Sequence, residues 1–154
     1  MTERRRPDAD FIEKIIVKGI LTDKTYSILA TNAFIHEYFT NATASKIFEE
    51  VRLYLDEFKQ IPPKDLLLNT LGNSAKDYFE DIEQIDFDIS RQYDYLLEES
   101  NIYLKDAAIK KAMIDNISII DNQEDLEKIR QNIEAALCKD LKVDLGLEYF
   151  RDLA

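Results

Sequence analysis

Apolar positions along the chain recur at three- and four-residue intervals, the spacing of helices with one buried face. Ile12, Ile15, Ile16 and Ile20 make the first such face, behind a helix start at Asp10. Asp23 or Thr22 is placed to cap a second helix that carries Tyr26, Ile28 and Leu29. Phe34, Ile35, Tyr38 and Phe39 follow as an aromatic cluster expected to fill the core between these short helices. Asn41 or Thr43 opens a longer helix. On it Ile47, Val51, Tyr54, Leu55 and Phe58 form one apolar stripe, with Glu49, Glu50, Arg52, Asp56 and Lys59 largely outside. Pro62 and Pro63 end that helix, because the residue before a proline avoids the helical region. Pro63 suits the first turn of the next helix, Asp65 to Leu71, and Gly72-Asn73 reads as its stop. Lys76 to Asp88 predicts a short helix. Asp77, Glu80, Asp81, Glu83, Asp86 and Asp88 make it acidic, and Tyr78, Phe79, Ile82, Ile85, Phe87 and Ile89 supply its apolar side.

Beyond Ser90 the pattern changes. Gln92 to Ile120 contains no Gly or Pro and predicts one long helix whose apolar residues cover more than one face, so it needs more than one partner. Asp121-Asn122 reads as a turn, with Asn122 and Asp125 in a capping arrangement. Leu126, Ile129, Ile133 and Leu137 then form a narrow seam suited to a helical hairpin. The expected architecture is all-α. A basic arm at 1–9 precedes a compact multi-helix head at 10–90. A projecting antiparallel hairpin at 91–140 and the start of a linker at 141–154 complete it. Ile102, Ile109, Met113, Ile120, Leu126, Ile129, Ile133 and Leu137 are the candidate residues for closing the hairpin and for pairing with a second copy.

Composition agrees with helices joined by short connections: three Gly and three Pro in 154 residues, with 45% hydrophobic residues to build a core. The formal net charge of -11 opposes binding to a phosphate backbone and suits protein partners, so no direct DNA binding is expected. The basic arm with Arg4, Arg5 and Arg6 is expected to be a disordered tail. The apolar run from Ile15 to Leu21 is short and interrupted by Lys18, so no membrane span is expected. The opening residues carry no signal-peptide pattern, and a cytoplasmic location is expected.

Candidate chemistry is sparse. Gly19, Gly72 and Gly146 are followed by Ile, Asn and Leu, so neither a phosphate-binding loop nor a dinucleotide fingerprint is present. A single His36 and a single Cys138 cannot make a two-histidine or cysteine-rich zinc site. His36 reads as a packing or surface histidine and Cys138 as an incidental thiol. The many carboxylate pairs are those of solvated acidic faces. No catalytic, cofactor-binding or metal-binding residue is assigned to the chain.

Three stretches carry a resemblance: FIEKIIVKGILTD at 11–23, YFTNATASKIFEEVRLYLDEFKQIP at 38–62, and YDYLLEESNIYLKDAAIKKAMIDNISII at 93–120. Their order resembles the N-terminal domain of replicative hexameric DNA helicases of the DnaB family, the phage-encoded branch in particular. The closing DLGLEYFRD is similar to the segment that leads to that family's linker. The resemblance spans roughly Phe11 to Leu153 and rests on apolar spacing and turn residues rather than on a chemical motif. It implies a non-catalytic collar domain that pairs through its hairpins, as a dimer or as a trimer of dimers. It also implies docking of primase and of a helicase loader during DNA replication, in a bacterial host's cytoplasm. ATP and Mg would belong to a separate ATPase domain of the parent helicase, which the resemblance places after this one; the chain would then be an isolated collar domain or a truncation. The alternative is a stand-alone phage adaptor or inhibitor that binds replication proteins.

Overall fold

A computed structural model describes residues 7–121 and 126–139, with side chains for 7–116 and 127–139. The regular structure of the described residues is all helical, with no strand among them. In order they form α1 (Ala9–Thr22), α2 (Lys24–Ala33), a short 3-10 turn (His36–Tyr38), α3 (Ala42–Phe58), α4 (Lys64–Leu71), α5 (Asn73–Glu83), α6 (Tyr93–Asp121) and α7 (Leu126–Leu137).

Short polar side chains set the helix starts. The first helix begins at Ala9 rather than at Asp10, because the Asp8 carboxylate accepts the Phe11 amide at 2.8 Å. Asp23 caps α2 through the Tyr26 amide, and Asn41 caps α3 through the amides of Thr43 and Ala44. Lys59 ends α3 with φ of 59°, the left-handed conformation that closes a helix. Gly72, at φ of 84°, ends α4 in backbone space that a side chain disfavours. The acidic helix starts directly after it, at Asn73, and stops at Glu83. It is shifted towards the N-terminus relative to Lys76–Asp88, and the segment from Asp86 to Asp88 is non-helical.

The first helix is the centre of the head. It packs against α2, α3, α5 and α6 at once, and Ile15, Ile16, Val17 and Ile20 are fully enclosed. Gly19 makes that crowding possible: a Cβ there would stand 2.8 Å from Leu96 Cδ2 and from the Tyr26 ring. On α3 the buried stripe is Ala44, Ile47, Phe48, Val51 and Leu55. Phe58 does not belong to it. Its side chain is 55% exposed and leans on Tyr54, with ring centroids 4.7 Å apart, because the helix ends beyond the edge of the head. Phe34, Tyr38 and Phe39 do fill the core, in ring contact with one another and with Tyr103 and Phe48.

The long helix serves two partners, as its apolar pattern predicts. Its buried positions are Leu96, Glu99, Ser100, Leu104, Ala108, Ala112 and Asn116, and all but Glu99 form a run of four-residue steps. Each such step overshoots one helical turn by about 40°. The buried line therefore winds around α6: its start faces α1 and its end faces α7.

Candidate interaction surface and the buried polar hub

Two features of the structure define the candidate surface: a buried hub that fixes α6 to the head, and the hairpin surface that α6 then presents. The hub is Glu13, which is 1% exposed. Its Oε2 accepts from the Thr40 amide at 3.1 Å, the Thr40 hydroxyl at 2.8 Å and the Tyr103 hydroxyl at 2.7 Å. Its Oε1 accepts from the Asn41 amide at 2.9 Å. Tyr103 also donates to the Tyr38 carbonyl at 2.9 Å. Four donors around one carboxylate are what a buried charge requires. They tie α1, the residues before α3, and α6 together. Burial, then the hydrogen bond to Glu13, holds the Tyr103 phenol well above the ordinary tyrosine range. Tyr26 is raised by burial too, against the opposing effect of its 2.6 Å hydrogen bond with Ser100 on α6.

The sequence reading missed this hub, although it leaves a trace. Glu13 stands three, four and seven residues before Ile16, Val17 and Ile20, so it lies inside the apolar arc of α1 rather than opposite it. A second tie lies further along α6: Lys111 bridges Glu37 of the 3-10 turn and Asp115, each at 3.2 Å, which raises its pKa.

The second half of α6 packs on α7. Asn132 Nδ2 donates to the buried Asn116 Oδ1 at 3.0 Å. The short link between Asp121 and Leu126 then requires α7 to return along α6. In that register Ala136 falls level with Ala112, and both are buried. The inner face of α7 is Ile129, Asn132, Ile133 and Ala136, with the two isoleucines half-buried. Leu137 is not part of the seam. It is 54% exposed, because the smaller Ala136, one residue earlier, takes the position against α6. Met113, at 56% exposed, likewise does not close the hairpin.

Of the other candidate residues, Ile102 and Ile109 are half-buried, and Ile102 borders a shallow hollow with Ile12 and Tyr103. The side chains of Ile120 and Leu126 lie outside the described residues, as do residues 1–6, 122–125 and 140–154. Met113 and Leu137 each follow a buried alanine by one residue, hence by about 100° of rotation. Since the helices run in opposite directions, both rotations lead to the same flank of the pair. Ile109 and Ile133 lie between the seam and that flank on the same projection. The result is one apolar edge along the hairpin that no other element covers among the described residues.

His36 is exposed beside Glu37 at 4.0 Å, and Cys138 is an exposed free thiol. Among the described residues no group of His, Cys, Asp and Glu is arranged to hold a metal ion, and no helix is long and apolar enough to cross a membrane. Comparison with family models, with curated proteins and with solved structures gives no match.

Proposed function

We propose that the chain is a non-catalytic assembly module, the collar domain of a phage-type DnaB-family replicative helicase. In this reading it pairs with a second copy through the hairpin and offers the collar on which primase or a helicase loader docks. The observation that carries the pairing is the exposed apolar edge of Met113 and Leu137 on a helix pair held rigidly by the head. The family comes from the order of parts in the sequence, with which the helical head, the 29-residue α6 and the returning α7 agree. ATP hydrolysis belongs, in this reading, to a separate domain of the parent enzyme.

Light scattering across concentration tests it. The parent chain should form dimers or larger species, and Met113→Asp with Leu137→Asp should shift the distribution to monomer with an unchanged thermal melt. A parent chain that stays monomeric into the high micromolar range refutes the pairing. Co-elution with the primase encoded in the same genome tests the docking role separately.

A further inference from the structure

A groove of about 470 Å³ runs between α2 and α3, on a part of the head away from the hairpin. Its walls are two helical lines that face each other. Lys24, Ile28, Thr31 and Asn32 lie on α2, and Arg52, Leu55, Asp56 and Lys59 follow the i, i+3, i+4, i+7 pattern along α3 and its C-cap. Ile28 and Leu55 are its apolar residues, Leu55 buried and Ile28 39% exposed, and Thr31 and Asn32 are polar. The rim carries Lys24, Arg52 and Lys59 against Asp56 and the Glu49 carboxylate that pairs with Arg52, in a chain whose net charge is -11.

The cations are partly fixed in place. Arg52 is held through Nε and Nη2 by the carboxylate of Glu49, one turn back on α3, which leaves Nη1 to meet another group. Lys59 sits in its left-handed backbone position with Nζ on the Asp56 carbonyl at 2.6 Å. The α3 wall from Arg52 to Lys59 is about 10 Å long, the length of two turns of a docked helix.

Apolar side chains between two neighbouring helices, inside a rim with an excess of cations, suit an amphipathic helix, and the rim selects the charge of the occupant. We propose that the α2–α3 groove docks an acidic amphipathic helix of a partner protein. The contact is independent of the helicase reading and of the hairpin edge.

Fluorescence anisotropy tests it with a labelled peptide of about three helical turns. Its leucines are at helical spacing and its flanks are glutamate; a scrambled peptide of the same composition is the control. Saturable binding is expected, at least about tenfold tighter than that of the scrambled peptide, a gap of about 1.4 kcal/mol. Lys24→Glu with Lys59→Glu, both at exposed positions, should weaken it at least about tenfold while the thermal melt stays in place. Added salt should weaken it as well, since the rim charges are screened.

Equal binding of the scrambled peptide, or no loss on charge reversal, overturns the proposal. So does tighter binding of a single-stranded oligonucleotide that depends on the same lysines, which would make the groove a phosphate contact. A fall in self-association of the Lys24→Glu, Lys59→Glu chain would assign the groove to a second copy and overturn it equally.

Discussion

Replacing Glu13 by Gln isolates what the buried hub contributes. The two side chains have the same shape, so no cavity forms and the packing of α1 is kept. What changes is the charge and one acceptor. Three of the four donors converge on Oε2 and one on Oε1. The amide therefore does least harm with its oxygen at the Oε2 position and its NH2 facing the Asn41 amide. That arrangement sets two donors against each other and leaves the Asn41 N–H without its acceptor, beside the cap of α3. Hydrogen bonds to a charged group contribute about 1.5–3 kcal/mol each, and an orphaned buried donor costs about 1–3 kcal/mol. The loss of one such bond and the weakening of three others gives an expected destabilisation of about 3 kcal/mol. Glu13→Ala should cost more, about 4 kcal/mol, because it strands several donors and opens a cavity. Equilibrium unfolding in urea, followed by circular dichroism, measures both. Tyr103→Phe in combination with Glu13→Gln should show coupling of at least about 0.5 kcal/mol, since the two share one hydrogen bond. A Glu13→Gln chain within about 0.5 kcal/mol of the parent would refute the reasoning, as that is the range of an ordinary surface substitution.

Two further outcomes follow from the same core. Gly19→Ala places a methyl group 2.8 Å from Leu96 Cδ2 and the Tyr26 ring, both fully enclosed, and should destabilise by about 1–3 kcal/mol in the same assay. Tyr26, Tyr78 and Tyr103 all have phenol pKa values raised above their usual 10.0, first by burial. A raised folded-state value means that their contribution is complete below pH 10 and is lost as the pH climbs, because the unfolded phenols release protons that the folded ones keep. Stability should fall with rising pH above about 10, and Tyr103→Phe should make that fall less steep.

Much of the fold was legible because single-faced helices write their partners into their spacing. Asp23, Asn41 and Gly72 marked boundaries through chemistry that acts within one helical turn. Misreadings arose where two local signals competed. Asp8 and Asp10 are both acceptable near a helix start, and only the geometry of the Phe11 amide separates them. On α7 the spacing of apolar residues points to Leu137, whereas close approach of two helices favours the smaller Ala136. Phe58 continues the stripe of α3 in projection, but the head ends before it does. The hub was hidden for another reason. A carboxylate is read as solvated unless its donors are known, and those at Thr40, Asn41 and Tyr103 are supplied by segments 27 to 90 residues away.

The arrangement of these parts determines what α6 can do. An isolated helix of this length would bend and slide on its neighbours. Here its first half is locked by Leu96 and Leu104 in the core, by Ser100 on Tyr26, and by Tyr103 on Glu13. Lys111 adds a tie to the 3-10 turn one and a half helical turns before the helix meets Asn132. The locked half fixes the direction of the free half, and the winding of the buried line decides which way Met113 then points. Changes at Glu13 or Gly19 are thus coupled to the hairpin edge through one rigid helix. If the chain pairs as proposed, a variant such as Glu13→Gln should weaken self-association at concentrations where the chain is still folded, although Glu13 lies in the head and touches nothing on the hairpin edge. Light scattering at matched folded fraction measures this: unchanged self-association in a measurably loosened head would show that the hairpin pairs without help from the head.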